Sequence, residues 1–413
     1  MSSPTKDIAI IGCGVAGMTL ALTLHARGIP CKIYEVRSTI YRTTGALILS
    51  PNALRILDKL GVYEDLEPKG FSFQKMIFKN NAHETTDEYY LGSKELFGYD
   101  CLRLYRRGLL DHLRFEINDA GIPVFYGAKF SHVVSETEDG VEFAFEDSTT
   151  KHCSLLIGTD GIHSTVRRCI NPSARPVYAG MISINCAFPR SALRMPPEHP
   201  DYPLPVAVQS KPGTFIMAPQ DGEGSTIFAG TVALYPEQDH AGWDELARDK
   251  AKLLSMFCKD KDAWPDIVQS AMEAVPEETV AIWPFYNVPR LSKWSSEQGR
   301  VVILGDAAHA VPPTAGQGAS QALEDAYSFT IVLAEVAKGR EWNKSLDAWE
   351  KMRNARVDGV KKLTQLLNKT TLPKEEREKL EMETWGSGVD QTWLYCRDLE
   401  NDTEQCLKDA FGN

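Results

Sequence analysis

Residues 7–35 read DIAIIGCGVAGMTLALTLHARGIPCKIYE, and this stretch decides the fold. Asp7 to Ile11 reads as a short apolar strand, and Gly12, Gly14 and Gly17 form a turn. Val15 to Ala26 has the apolar density of a buried helix, which Gly28 stops before a second strand from Cys31 to Glu35. Strand, turn, helix and strand in about 30 residues make a β-α-β unit. The three glycines stand where a tight turn, close backbone approach to a pyrophosphate and close packing of helix on strand each exclude a side chain. The unpaired amides at the helix start then face the anion. Glu35, about 20 residues beyond the glycines, is placed to accept hydrogen bonds from a ribose diol. From Ile8 to Leu24 the same run imitates a signal peptide or membrane anchor, but the glycines interrupt it and Asp7 precedes it.

A chain of 413 residues is long enough for two or more packed units. With 43% hydrophobic and 24% charged residues it has the composition of an ordinary globular protein. The net charge of -11 argues against wholesale binding to nucleic acid or anionic lipid; the cluster Arg103, Arg106, Arg107 and Arg114 is a partial exception. Nine scattered cysteines without a Cys-x-x-Cys pair suggest neither a disulfide framework nor a zinc site. A reducing compartment, the cytoplasm, is the expected location. No metal site, nucleic-acid partner or membrane partner is expected, and the sequence leaves the oligomeric state open.

Beyond the first unit, Asn52 to Leu60 and Arg107 to Ile117 have helical spacing. From Phe130 the texture changes to short alternating runs with Asp139-Gly140 and Asp221-Gly222 turns, which signal antiparallel hairpins. Strands near Met181 to Phe188, Val206 to Gln209, Thr214 to Ala218 and Thr226 to Leu234 predict a second sheet. A buried strand returns at Arg300 to Leu304, followed by a glycine-rich turn and a long helix from about Gln317 to Ala337. The expected fold is α/β: a Rossmann-like domain, a second and mostly antiparallel sheet domain, and a helical C-terminal segment. The first domain is discontinuous, 1-70, 101-175 and 291-337; the second takes 71-100 and 176-290; residues 338-413 form a cap. In that cap Lys374 to Glu383 reads as a charged, solvated helix face, and Trp393 and Tyr395 pack the tail onto the core.

Two more blocks carry chemistry. Gly305-Asp306-Ala307-Ala308-His309, with Pro313, Gly316, Gln317, Gly318 and Ala319 after it, follows the 300–304 strand and opens the long helix. A carboxylate at a strand's end can bind a polyol, and amides at a helix start can stabilise charge on an electron-rich ring. The plainer alternative for Asp306 is a helix N-cap, and His309 reads as a packed structural histidine. The second block, Gly158-Thr159-Asp160-Gly161 through Arg167, follows the apolar run Ser154 to Ile157; a turn with an Asp cap is its plainer reading.

Taken together, the three blocks resemble the class A flavoprotein monooxygenases, the salicylate and para-hydroxybenzoate hydroxylase-like family, over Asp7 to about Ala337. The resemblance implies that Gly12, Gly14, Gly17 and Glu35 bind the ADP half of FAD and that Asp306 binds the ribityl chain. It places Gly318 and Ala319 against the isoalloxazine, and Asp160 in a block serving both FAD and a transient nicotinamide cofactor. Arg106 matches an arginine that contacts FAD, with a solvated helix-end arginine as the alternative. The run from Gly45 through Ala46 to Asn52 resembles the loop beside the flavin. The chain departs from the family at Thr44-Gly45-Ala46, where relatives often carry Gly-Ala-Gly. It departs again at Asn185, where phenol hydroxylases often carry an arginine five residues beyond the glycine matching Gly180; a neutral amide stabilises a phenolate less than a guanidinium does.

The activity this implies is that of a single-component monooxygenase: NADPH or NADH reduces FAD, dioxygen adds to give a flavin hydroperoxide, and one oxygen passes to an aromatic or polycyclic small molecule, as hydroxylation or epoxidation. Phe215, Met217, Trp283, Phe285 and Tyr286 are candidate pocket residues, each equally readable as core. No catalytic side chain is singled out. Two rivals stay open: an FAD-dependent oxidase or oxidative cyclase acting on a secondary metabolite, and a non-catalytic prenyl-binding regulator on the same fold. The chain has no Gly-x-Ser-x-Gly elbow, no His-Glu-x-x-His pair and no Trp-x-Trp-x-Ile-Pro run, so it lacks the marks of serine hydrolases, zincins and flavin halogenases.

Overall fold

The computed structural model describes residues 3–37, 45–371 and 390–412. Thr44 and the charged stretch Lys374 to Glu383 lie outside the described residues. The opening β-α-β unit forms as read, with strands Ile8–Ile11 and Cys31–Glu35 around the helix Val15–His25. Every residue of that helix from Val15 to Leu24 is buried, because the first helix is packed from all sides. Fully buried Met18, Leu20 and Leu24 each contribute about 1.5–3 kcal/mol of apolar burial.

These strands belong to a five-stranded parallel sheet ordered Val301–Ile303, Leu155–Gly158, Ile8–Ile11, Cys31–Glu35 and Val124–Tyr126. The 300–304 run therefore returns beside the first motif, although it is almost 300 residues away in the chain. Beyond it the long helix, Gly318–Ala337, packs against the first helix.

A seven-stranded sheet runs in the order Ala281–Asn287, Val177–Pro189, Thr226–Leu234, Gly213–Pro219, Val206–Ser210, Lys75–Lys79 and Thr85–Tyr90. Its pairs are antiparallel except that between Val206–Ser210 and Lys75–Lys79, which is parallel. The Phe130–Cys153 hairpins do not join this sheet: Phe130–Thr137, Gly140–Phe145 and Thr150–Cys153 form a three-stranded sheet of their own. A further small sheet, Ala46–Leu49, Cys101–Tyr105 and Phe71–Phe73, connects the two large ones. Leu102 and Leu104 point from it into the core of the parallel sheet. Cys101, on the opposite face, joins a cluster with Phe73, Phe78 and Ala207.

The C-terminal segment is helical over Trp342–Thr371, Thr392–Tyr395 and Leu399–Phe411. It is fastened through a buried charge cluster. Arg353 lies 2.6 Å from Glu324 and 2.8 Å from Asp325, and Arg356 lies 2.7 Å from Glu324. Tyr395 is fully buried beside Phe97, and Trp393 lies under the Arg356 guanidinium. Burial would push both carboxyls up, but the arginines beside Glu324, and His309 with Arg353 beside Asp325, hold them below the usual carboxylate range.

Two consequences can be measured. Arg353→Leu leaves two buried carboxylates short of their counter-charge and is expected to cost about 3–5 kcal/mol in urea unfolding. Because both folded-state carboxyls are depressed, their contribution is complete above about pH 4, the unfolded carboxylate range, and is lost as pH falls below it. The wild-type protein should therefore lose more stability between pH 5 and pH 3 than the Arg353→Leu variant does.

Candidate active site

Steric contact brings the first and second motifs together. Gly12 has φ +109°, and a Cβ there would stand 2.6 Å from the Thr159 carbonyl oxygen. A Cβ on Gly17 would stand 2.1 Å from the Gly12 carbonyl oxygen and 2.6 Å from the Thr159 hydroxyl. The Thr159 hydroxyl donates to the carbonyls of Ile11 and Gly12, at 3.0 and 2.9 Å. The third motif closes over the same point: a Cβ on Gly305, at φ +60°, would lie 3.1 Å from the Ala16 Cβ. Arg167, fully buried, donates to the carbonyls of Ile162 and Ala307 at 2.6 and 2.9 Å, tying the second motif to the third.

Gly14 is different in kind. It has ordinary backbone angles, and a Cβ built on it meets nothing within 4 Å. The helix it opens has no side-chain cap, which leaves its first amides without a side-chain partner. Gly318 repeats the arrangement: its Cβ would meet nothing within 4 Å, and no side chain caps the helix that Gly318 and Ala319 begin.

Around this space the expected ligands divide by what their side chains already do. Glu35 is buried, with one carboxylate oxygen accepting from the Cys13 amide at 2.7 Å and the other from the Arg37 amide at 3.0 Å. Each oxygen keeps a lone pair for a diol. Asp306 is exposed and makes no hydrogen bond or ion pair among the described residues; Gly305 holds the N-cap position, so the N-cap alternative for Asp306 falls. Arg106 is half-buried with its Nε unpartnered, while its backbone amide donates to the Gly45 carbonyl at 3.0 Å next to half-buried Ala46. Asp160 follows its plainer reading. Its carboxylate accepts from the Ser164 hydroxyl and from the Thr165 and Val166 amides, so it steadies the first turn of the helix Thr165–Ile170, whose N-cap is Ser164. Burial pushes the Asp160 carboxyl up, and those hydrogen bonds only partly offset the push.

Sequence reasoning missed the residues that hold these groups in place. Asp325 accepts from the Gly305 amide at 2.8 Å and from His309 Nε2 at 2.6 Å, which makes His309 the structural residue it was read to be. Asn52 donates to Glu324 and Gln317, and Gln317 donates to Ser50 at 2.7 Å, so the start of the 318–337 helix is moored to the end of the Ala46–Leu49 strand. An i,i+3 and i,i+4 row of buried polar residues, Gln317, Gln321, Glu324 and Asp325, was the available signal.

Two of the five pocket candidates need correction. Phe215 and Met217 are fully buried in the core beneath the far face of the seven-stranded sheet, against Phe257 and Trp264, and do not face the glycine turns. Strand alternation instead gives Ile216, half-buried, to the near face. Trp283 is 51% exposed, Phe285 is buried, and the Tyr286 hydroxyl accepts from Trp243. The four arginines do not make a basic patch either: Arg107 and Arg114 both pair with Asp111, and Arg103 is buried.

The donor set fits FAD. Two uncapped helix starts, two glycines whose missing Cβ leaves open space, a buried carboxylate with spare acceptors and an unpartnered arginine Nε are what a dinucleotide with a pyrophosphate and a flavin requires. Fold and site define a flavin-binding oxidoreductase. Comparison with known proteins then gives the family. Residues 5–364 match the family described as FAD binding domain, and the chain belongs to it, among the class A FAD-dependent monooxygenases. It is 30% identical over 321 residues to 3-amino-4-hydroxybenzoate 2-monooxygenase of Streptomyces cremeus, covering 77% of this chain and 76% of that one. It is 27% identical over 338 residues to 6-hydroxynicotinate 3-monooxygenase of Bordetella bronchiseptica, covering 80% and 83%. Among solved structures, HpxO of Klebsiella pneumoniae complexed with FAD and uric acid superposes with a TM-score of 0.75 at 21% identity, over 99% of this chain and 97% of that one. The protein is thus an FAD-dependent monooxygenase and an enzyme, which removes the non-catalytic regulator from consideration. Among the described residues no helix is long and apolar enough to cross a membrane.

The glycines give a paired prediction. Gly14→Ala should leave the melting temperature of the FAD-free protein unchanged and weaken FAD binding by tenfold or more, about 1.4 kcal/mol. Gly17→Ala should lower the melting temperature by several degrees, because its Cβ has backbone to displace. Equal effects of the two substitutions on folding would contradict the assignment.

Proposed function

We propose that the protein is a single-component NAD(P)H-dependent hydroxylase or epoxidase acting on an aromatic or polycyclic small molecule. The observation that carries this reading is the convergence of three sequence-distant motifs on one cradle next to a sheet face that is only half-buried. In this reading Gly12, Gly14, Gly17 and Glu35 hold the ADP half of FAD, Arg106 its phosphates and Asp306 the ribityl hydroxyls. Ala46, Gly318 and Ala319 border the flavin ring, and Asp160 shapes the turn beneath. The FAD unit then comprises 1-70, 101-175 and 291-337, the substrate unit 71-100 and 176-290, and the cap 338-413.

Bound FAD, reduced by NADPH or NADH, supplies dioxygen activation; the chain supplies position and dryness. The 318–337 helix start, which no side chain caps, would hold the polar edge of the ring. The near face of the seven-stranded sheet, with Phe228, Ile216 and Asn185, covers the substrate and keeps water out, which favours oxygen transfer over loss as hydrogen peroxide. The names of the Streptomyces and Bordetella relatives, both monooxygenases of hydroxylated aromatic acids, support an aromatic substrate.

Incubation with NADPH or NADH, an aromatic panel and isotopically labelled dioxygen tests the proposal. One labelled oxygen atom in a product, with one nicotinamide consumed per turnover, is expected; a product formed without labelled oxygen would sink it. Asp306→Ala should reduce FAD occupancy, with affinity down about tenfold or more for loss of charged hydrogen bonds. Full occupancy in that variant would contradict its role.

A further inference from the structure

Arg103 stands at the centre of the Cys101–Tyr105 strand, 7% exposed, with no side-chain hydrogen bond and no carboxylate partner among the described residues. Its Nε is sealed from solvent without an acceptor. The guanidinium lies 4.6 Å from the centroid of the Phe228 ring, which belongs to the seven-stranded sheet. The titratable groups acting on its charge are the Cys101 thiol and the Tyr105 phenol, and neither is a carboxylate. Burial pushes Arg103 down to about 10, which still leaves it protonated at neutral pH. Every other strongly buried arginine described has acceptors: Arg167 and Arg300 take carbonyls, and Arg353 takes two carboxylates. A buried guanidinium with a sealed, unpartnered Nε and no anion carries a desolvation cost that its contact with the Phe228 ring only partly offsets.

Its location says what would offset it. Arg103 is directly opposite Ile48 in the strand ladder. Ile48 in turn touches Gly316, where a Cβ would lie 3.4 Å from its Cγ2, in the turn that leads into Gly318 and Ala319. On the other side, Phe228 shares its sheet face with Asn185: a Cβ on Gly230 would meet the Asn185 amide oxygen at 2.8 Å and the Phe228 ring at 3.0 Å. Arg103 therefore sits in the seam between the flavin-side turn and the half-buried sheet face, with its guanidinium over the Phe228 ring.

We propose that Arg103 is the anion anchor of the substrate pocket, pairing with a carboxylate of an aromatic substrate held against Phe228. This rests on the monooxygenase reading and narrows its substrate class to anionic aromatics. A fork of parallel N–H donors matches a carboxylate bidentately, which a lysine would not reproduce.

The test uses matched acid and amide probes, 4-hydroxybenzoate against 4-hydroxybenzamide and 6-hydroxynicotinate against 6-hydroxynicotinamide, titrated calorimetrically into the FAD-loaded protein. Wild type is expected to prefer an acid over its amide by about 10- to 100-fold, the range of a charged hydrogen bond. Arg103→Gln should abolish that preference with the amide's affinity and FAD content unchanged, and Arg103→Lys should keep part of it. Arg103→Met should raise the melting temperature of the substrate-free protein, since it removes an unpaired charge. Equal binding of acid and amide by wild type, a preference retained in Arg103→Gln, or a lower melting temperature in Arg103→Met would each overturn the proposal. Acid preference lost in Arg103→Gln with no oxygen inserted into any compound would leave the anchor standing and remove the hydroxylase reading instead.

Discussion

The contact between Gly12, Gly17 and Thr159 is the constraint on which the rest depends. Three backbones meet at a distance that no Cβ can enter, so the first helix lies close against the first strand and the Leu155–Gly158 strand ends beside both. Once that crossing is fixed, the helix start points out of the parallel sheet's carboxyl edge, where open α/β sheets bind their ligands. Gly305 packs on Ala16 at the same edge, so the strand that returns from residue 301 delivers Asp306 there too. One steric requirement thereby collects groups from three distant parts of the chain.

A second, electrostatic constraint keeps the far side of the cradle in place. Asp325 and Glu324 are adjacent on one helix, yet they reach different partners: the first holds the Gly305 turn, and the second holds Asn52 at the end of the flavin-side strand. Both share Arg353 from the C-terminal helix. The cap is therefore coupled to the flavin site through buried ion pairs whose geometry admits little slack, and its first helix also packs on the Pro313–Ala315 turn. Apolar packing alone would stabilise the contact as well but would not fix which turn of one helix meets which turn of the other.

The legibility of the fold from sequence follows the range of the forces involved. Gly12 and Gly17 were readable because backbone sterics acts within a few residues, and the strands and the long helix were readable from local periodicity. Family membership was legible for the same reason, since three such local patterns in fixed order are specific. The Asp160 side chain was ambiguous because a carboxylate at a strand end looks the same whether it meets a ligand or a helix start. The pocket residues failed on parity: Phe215 and Met217 alternate with Ile216, and only tertiary packing says which face meets helices and which meets the flavin side. The parallel pairing of Val206–Ser210 with Lys75–Lys79 joins segments more than 120 residues apart and has no local signature. Arg103 was counted among surface arginines, although its neighbours Leu102 and Leu104 marked a strand with one face in the core; a second sheet covers the other face, and that was not readable.

The cofactor chemistry comes from FAD, and the chain's contribution is a cradle that places it beside a face able to hold an aromatic ring. The source of the electrons, a nicotinamide rather than the substrate, is the central claim of the proposed reaction. The direct measurement is anaerobic mixing of the FAD-loaded protein with NADPH or NADH, followed at the flavin's absorbance, with and without aromatic compounds. The account predicts that the nicotinamide reduces the flavin and that an aromatic ligand accelerates the reduction; bleaching of the flavin by an aromatic compound alone, with no nicotinamide present, would contradict it.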